Sequence, residues 1–548
     1  MSTTAAQAAP AKPAYQGTEK LLWGIVLAVV TFWLFAGTAG TVAPAIMTDL
    51  NKGGQVIDAA SLNLAVSITG LFSGLFIVMM GGFADKFGRV KITLLGIAMN
   101  IFGSLLLVLA TGGLALPLLL AGRAIQGFAA ACIMSSSLAL VKAYWDGKGR
   151  QRAVSMWSIG SWGGSGLAAL FGGAVVQSIG WRGIFMASIA ISIVSFLMIL
   201  GTPENRVATA RKGFDYIGLL LFIVGTLSLV ITLLYGAKQL GGWTSPLTLG
   251  LAAVAIVAYF LFVQYEKKQS GPFIDFKLFK NTTFTGATIS NFLLNGTIGI
   301  LIISQQVIQL AGCKVARDAA GACPKGGAYT AWDAGILTLG YGIVIISFIR
   351  VGEKLLQRFG PRKPMIWGSC IVIVSCGLLM MTNLLIGQYV ILAVIAYCLF
   401  GLGLAFYATP STDAALSNLP ADQAGSGAGI YKMASSLGGA IGSAISLSVF
   451  TGLAGSPVTF IGDVIHMEGA QTNTNLRLAA MVALGVNLLF LLLAILTIVL
   501  TVPKSTGRIA PIAQPVPDAV AAMGFVECPT CHGEGVIKAS EQKPARGK

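Results

Sequence analysis

Charge is scarce in this chain. Only 10% of its 548 residues are Asp, Glu, Lys or Arg, whereas soluble domains run near 25%. The few charges fall almost entirely in short connecting stretches, which excludes a soluble multidomain protein. Histidine is nearly absent: His466 and His532 are the two present. The first falls in an expected outer loop and the second in the C-terminal tail. With no visible nucleophile–base arrangement and no metal-ligand cluster, a membrane-embedded enzyme or sensor is not expected. There is no G-x-x-x-x-G-K-[ST] loop to cradle phosphates, which leaves ATP hydrolysis unsupported. The N-terminal segment is short and polar and leads into a full-length apolar run, so it does not read as a cleaved signal peptide.

What is abundant is apolar. Hydrophobic residues make up 55% of the chain and glycine contributes 69 positions. Stretches of about 20 apolar residues can cross a bilayer, and small residues let such helices approach closely. Fourteen spans are expected, over residues 21–46, 60–82, 92–111, 116–140, 153–175, 183–201, 216–236, 245–265, 282–310, 333–351, 364–383, 389–411, 425–452 and 475–502. The net charge of +16 could suggest a nucleic-acid partner, but its distribution argues against one. Outside positions hold Lys52, Arg182, Lys238, Lys314, Arg317, Lys325 and Arg477. Arg123 and Lys432 are intramembrane, and the remaining 27 of 36 basic residues face inside. That asymmetry predicts that both termini are cytoplasmic, and the expected location is the inner, plasma membrane. Lys86-Phe87-Gly88-Arg89-Val90-Lys91 is echoed by Arg358-Phe359-Gly360-Pro361-Arg362-Lys363, the weak internal symmetry of a duplicated bundle.

Arg123 lies deep in an apolar run, where a fixed charge costs several kcal/mol and marks a functional position. It opens Arg123-Ala124-Ile125-Gln126-Gly127. Upstream, Gly81-Gly82-Phe83-Ala84-Asp85-Lys86-Phe87-Gly88-Arg89-Val90-Lys91 matches G-x-x-x-D-[RK]-x-G-R-[RK], with Val90 in place of the second basic residue. Both segments resemble signatures of the major facilitator superfamily. The resemblance implies an all-α polytopic fold of two six-helix bundles plus two extra helices. It implies a conformational switch at Gly81, Asp85, Lys86, Gly88 and Arg89, with Asp85 facing the positive N-terminus of a helix in the other half, near Gly425 to Gly429. It ties Arg123 to proton coupling; the alternative is an arginine held by backbone carbonyls or Gln126 for packing alone.

Span 5 resembles the antiporter motif of that superfamily. Gly172 and Gly173 are kept for close packing, but Ala168 and Ala169 stand where Gly-Pro is expected, so the proline-associated bend should be absent. Trp181-Arg182-Gly183-Ile184-Phe185 matches the W-R-x-x-F that follows. Phe214-Asp215-Tyr216-Ile217-Gly218, Asp275-Phe276-Lys277-Leu278-Phe279 and Tyr431-Lys432-Met433-Ala434-Ser435-Ser436-Leu437-Gly438-Gly439 look like the fourteen-span drug:proton antiporter branch, including Nor-type multidrug exporters. One departure matters: that branch carries an aspartate in span 1, and here Leu34 to Ile46 contain no carboxylate.

The remaining carboxylates are few. Asp58, Asp333, Glu353 and Asp413 sit near span ends, where an interfacial cap is the alternative reading for each. Asp413 is the best coupling candidate, because Lys432 lies in the next span and a buried Lys–Asp pair would compensate both charges; snorkelling of Lys432 to the surface is the alternative. Gln126, Tyr407 and Tyr431 are candidates to line a substrate cavity. Cys313 and Cys323 fall in one outer loop, where an oxidising exterior permits a disulfide, two free thiols being the alternative. Cys528, Cys531 and His532 resemble one repeat of a zinc ribbon, but structural zinc takes four ligands, so no metal is expected. The expected organisation is a tail over 1–20, a six-helix bundle over 21–201, two additional spans with a connector over 202–281, a second bundle over 282–502, and a disordered tail over 503–548. The expected function is proton-coupled export of small amphipathic compounds, as in multidrug efflux and antibiotic resistance. No cofactor beyond the proton gradient is expected, and a monomer in the lipid bilayer is. The alternative is a transporter of a specific organic anion or metabolite.

Overall fold

The computed structural model describes residues 15–52, 54, 57–145, 147–206, 215–236, 240–269, 272–313, 327–417, 424–454, 464–469, 471, 473–504, 525–527 and 536–538. Helices dominate because a backbone in hydrocarbon has to satisfy its own N–H and C=O groups. α1 (Glu19–Thr41) and α2 (Ala43–Leu50) form span 1. Spans 2 to 4 are α3 (Ala59–Phe87), α4 (Arg89–Val108) and α5 (Ala115–Tyr144). Span 5 is α6 (Gly147–Ser158), a π-helical turn (Ile159–Gly163) and α7 (Gly164–Ile179). Spans 6 to 8 are α8 (Arg182–Ile199), α9 (Tyr216–Tyr235) and α10 (Pro246–Glu266). Span 9 is α11 (Thr282–Gly296) with α12 (Gly299–Ala311), and span 10 is α13 (Ala331–Leu337) with α14 (Leu339–Phe359). The last four are α15 (Arg362–Met380), α16 (Ile386–Ser417), α17 (Ala424–Ala454) and α18 (Thr474–Thr501). Each of the fourteen expected spans coincides with one of these segments. Among the described residues, twelve are long and apolar enough to cross a membrane.

The helix starts follow local chemistry. Thr18, Asp58, Asp215, Ser245 and Asn281 each accept a first-turn N–H of the helix they precede, satisfying donors that a helix leaves orphaned. Thr330 and Asp333 form a reciprocal capping box. Asp58 and Asp333 therefore act as caps.

Span 5 has no bend at Ala168 and Ala169, over which α7 runs unbroken. The helix is interrupted farther upstream, by a π turn over Ile159–Gly163. A π turn widens the ladder by one residue, and Gly160, Gly163 and Gly164 lie within or beside it. Farther on, a Cβ at Gly172 would lie 2.4 Å from Thr38 Cγ2, and the Thr38 hydroxyl donates to the Ala168 carbonyl at 2.9 Å. α7 is thereby seated against α1.

α1 to α8 pack as one bundle and α11 to α18 as the other, with α9 and α10 paired between them and α9 touching both α3 and α17. α10 turns Leu249, Ile256 and Phe260 outward, as a lipid-facing helix does. The bundles meet along two seams, α3 against α17 and α7 against α13 and α14. On the first, Ser73 and Ser436 hydroxyls stand 3.5 Å apart. On the second, Ser165 and Tyr341 hydroxyls share a hydrogen bond of 3.2 Å. In the tail, β1 (Phe525–Glu527) pairs antiparallel with β2 (Val536–Lys538). That pairing departs from the expected disorder; its physical basis is two short β-favouring runs, Phe-Val and Val-Ile, brought into register. Cys528, Cys531 and His532 lie outside the described residues.

Backbones come close where α11 meets α17: a Cβ at Gly442 would lie 2.3 Å from both Cα and O of Gly296. Backbone cannot yield as a flexible side chain can, so overpacking here should cost about 1–3 kcal/mol. Gly442→Ala should lower the melting temperature of the detergent-solubilised protein. Gly377→Ala, where nothing lies within 4 Å, should leave it unchanged or raise it. Equal melting temperatures for the two variants would contradict the packing described.

Candidate functional site

The end of the molecule carrying residues 81–91 is its basic end. There α3 stops at Gly88, whose φ of +122° falls where a side chain is strained. The turn brings Asp85 beside Arg89: Nε and Nη2 of Arg89 donate to one Asp85 oxygen at 3.0 and 2.8 Å. Arg89 Nη1 also donates to Asn205 Oδ1 at 2.8 Å, and its backbone N–H to the Asn205 carbonyl at 3.0 Å. Gly81 lies against α5, where a Cβ would meet Ser135 at 3.6 Å, while Lys86 rests beside the Phe87 ring. The expected facing of Asp85 onto the start of α17 is not found: its carboxylate is engaged by Arg89. Another acid uses a helix dipole instead. Glu204 accepts the Val90 and Lys91 N–H groups at 2.9 and 3.1 Å, setting a negative charge on the N-terminus of α4. No motif pointed to Glu204; the one hint was its place in a polar turn, Thr202-Pro203-Glu204-Asn205.

Arg123 is buried at 2% exposure. Gly127, one turn on, lets α5 approach α3 so closely that a Cβ there would sit 2.5 Å from the Thr69 carbonyl. The guanidinium thereby reaches α3: Nε donates to Ala65 O at 3.1 Å and Nη2 to Val66 O at 3.4 Å. Nη1 donates to Gln126 Oε1 at 2.9 Å, and Gln126 Nε2 passes the chain on to Ser104 at 3.0 Å. These partners are neutral, and among the described residues no ion pair involves Arg123. Carbonyl dipoles and one amide hold the charge.

Lys432 finds a different neutral partner. It is 5% exposed, so it does not snorkel. Its ammonium lies 4.5 Å from the centre of the Trp157 ring and 5.7 Å from that of Tyr431. Trp157, on α6, is fixed by its indole N–H donating to Ser137 Oγ at 3.0 Å. The contact therefore crosses between bundles, and a desolvated cation–π contact of this kind is worth about 0.5–2 kcal/mol. The expected Asp413–Lys432 ion pair is not formed, because the aromatic face takes the charge instead. Asp413, near the end of α16, is half-buried.

The cavity candidates are packed in this conformation. The Tyr407 hydroxyl pairs with Ser290 at 2.6 Å and the Tyr431 hydroxyl donates to Ser411 at 2.9 Å. Asn291 donates to the Tyr431 carbonyl at 3.1 Å. Gln126 is consumed by Arg123 and Ser104. All three candidates are buried. Gly173 is buried beside Gly172 on α7. Cys313 is disulfide-bonded; Cys323 lies outside the described residues, so the expected pairing does too. Among the described residues no cluster of three or more metal-ligating side chains occurs.

At the opposite end Asp49 gathers three donors. Lys52 Nζ reaches Oδ1 at 2.8 Å, and Trp181 Nε1 and Arg182 Nη1 reach Oδ2 at 2.9 and 2.6 Å. Arg182 also donates to the Ala110 carbonyl at 2.7 Å, so α2, the α4 end and the start of α8 are tied together beside a cleft of about 350 Å³. Hydrogen bonds from Lys52, Trp181 and Arg182 hold the Asp49 carboxyl well below the usual carboxylate range.

Comparison with known proteins gives one family. The family model for the Major Facilitator Superfamily matches residues 25–443. The chain is 46% identical over 497 residues to Quinolone resistance protein NorB of Staphylococcus aureus strain MRSA252, covering 90% of this chain and 98% of that protein. The same identity and coverage hold for NorB of strain COL. Among solved structures, a D-xylose–proton symporter superposes with a TM-score of 0.60 at 13% identity, covering 89% of this chain and 99% of that one. The peptide transporter PepTSo of the POT family gives 0.57 at 14%, covering 88% and 98%. These two likenesses speak to the fold.

The Asp49 cluster carries a pH prediction. A carboxyl depressed in the folded state stabilises it fully above its unfolded pKa of about 3.9 and loses that contribution as pH falls through the folded value. Asp49→Asn should therefore destabilise the protein at neutral pH, by about 1–3 kcal/mol for lost charge-assisted hydrogen bonds. The gap between the variant and the parent should shrink in strong acid. A gap that is constant from neutral to strongly acidic pH would exclude ionised Asp49 as the centre of the cluster.

Proposed function

The chain belongs to the Major Facilitator Superfamily, and on that premise we propose that it exports small amphipathic compounds, quinolones among them, by proton-coupled alternating access between its two bundles. The observation that carries this reading is the near full-length similarity to Quinolone resistance protein NorB. It is a multi-pass membrane protein. In our reading the basic end faces the cytoplasm, both termini lie there, the membrane is the plasma membrane, the transporter works as a monomer, and the proton gradient is its driving force.

The electrostatics of the interior favour a substrate class. Both deep cations, Arg123 and Lys432, rest on neutral partners, and residues 34–46 of span 1 hold no carboxylate. A quinolone carries a carboxylate, which such an interior attracts, whereas a dication meets like charge. Lys432 also covers the Trp157 face that an organic cation would use. Opening the bundles at the basic end separates Lys432 from Trp157, so this contact favours the closed arrangement. We assign the exchanged proton to Asp413 and the switch to Asp85 and Arg89, with Arg89 holding Asp85 in this conformation. The same buried cations favour a second reading, a carrier dedicated to one organic anion or metabolite.

Purified protein in proteoliposomes with an imposed pH gradient should move a fluoroquinolone, and Asp413→Asn should reduce proton-driven flux more than substrate exchange. Lys432→Met should tighten binding of a monocationic dye by about tenfold, equivalent to about 1.4 kcal/mol. Flux of one anionic metabolite with none of any drug would select the second reading. Dication transport by the parent protein, unchanged in Lys432→Met, would remove the charge argument.

A further inference from the structure

Two sequence segments set apart by their pattern, 214–218 and 275–279, flank a pair of acids outside both bundles. Asp215 caps α9, with Oδ1 accepting the Gly218 N–H at 2.8 Å. Its other oxygen, Oδ2, is buried and has no hydrogen-bond donor. Glu266 ends α10 and is 2% exposed. Its two oxygens accept the N–H groups of Phe273 and Ile274 at 3.2 and 3.3 Å. The acids border one small space: a Cβ on Gly218 would lie 2.1 Å from Glu266 Oε1 and 2.7 Å from Asp215 Oδ2. Two ionised carboxylates that close repel strongly in a water-poor setting, and among the described residues neither has a basic partner.

Among the described residues the surroundings supply no cation for the pair. Among the described residues, the Tyr265 hydroxyl is a further titratable group beside the pair, within hydrogen-bonding reach of Asp215. Lys267, Lys268 and Lys277 are exposed. The rest of the wall is aromatic, with the Phe222 ring 5.3 Å from Phe262 and 5.6 Å from Phe273. We propose that Asp215 and Glu266 share one proton, held between Asp215 Oδ2 and Glu266 Oε1, and that this acid–carboxylate pair locks the segment entering α11 onto the ends of α9 and α10. The shared proton turns a buried repulsion into a hydrogen bond and leaves Glu266 free to hold Phe273 and Ile274. Its loss to the adjacent solvent restores the repulsion and loosens that hold. The added helix pair thus senses the pH at the basic end, at a place separate from Arg123, Asp413 and Lys432.

The full-length protein in nanodiscs tests this by two readouts. Infrared difference spectra across a pH titration should contain a protonated-carboxyl band that bleaches as pH rises. That component should be lost in Asp215→Asn and in Glu266→Gln, where an amide N–H replaces the shared proton. Hydrogen–deuterium exchange should show the protection of the Phe273 and Ile274 amides falling with rising pH in the parent protein and staying constant in either variant. If one variant does not fold, the other carries both readouts. A parent protein with the same carboxyl band and the same pH profile of protection as the variants would overturn the shared proton.

Discussion

Hydrocarbon supplies no hydrogen bonds, and every backbone group in the membrane has to find its partner within the protein. The regular helices follow from that constraint, and so does the placing of their interruptions. Span 1 breaks at Val42, span 5 passes through a π turn over Ile159–Gly163, span 9 breaks at Thr297 and Ile298, and span 10 at Thr338. Val42, Gly160, Thr297 and Thr338 are all buried. Freed carbonyls at such points face protein, where side chains and close backbones can meet them. The irregular spans 5 and 10 also meet each other on one of the seams between bundles.

The same scarcity of solvent governs charge. Arg123 and Lys432 solve one problem in two ways. Arginine spreads its charge over a planar fork and can address several carbonyls at once; three acceptors on α3 and α5 receive it. Lysine is a compact point charge, and a single aromatic face suffices. The first solution fastens two helices of one bundle and is insensitive to how the bundles sit. The second spans the bundles and depends on their separation. A residue's place in the fold, as much as its type, decides whether a buried cation is a fastening or a gauge of conformation.

The spans were legible in the sequence because length and hydropathy are nearly sufficient when the solvent is lipid. Asp58 and Asp333 were legible as caps for a similar reason, since capping is settled within four residues. What escaped was non-local. Asp413 and Lys432 are close in sequence terms, one span apart, but Trp157 arrives from the other bundle, and no spacing rule announces it. Glu204 reaches Val90 and Lys91 from more than a hundred residues away, so a motif read along residues 81–91 could not include it. The unbroken course of α7 over Ala168 and Ala169 was legible from the missing proline, whereas no pattern announced the π turn over Ile159–Gly163.

The Glu204 contact has an architectural consequence. Together with the Asn205 carbonyl and side chain, it staples the exit of span 6 to the entry of span 3, so the first six helices close as a unit before the chain goes on to α9. The exit of span 6 and the entry of span 3 are thus joined by contacts that involve neither α9 nor α10.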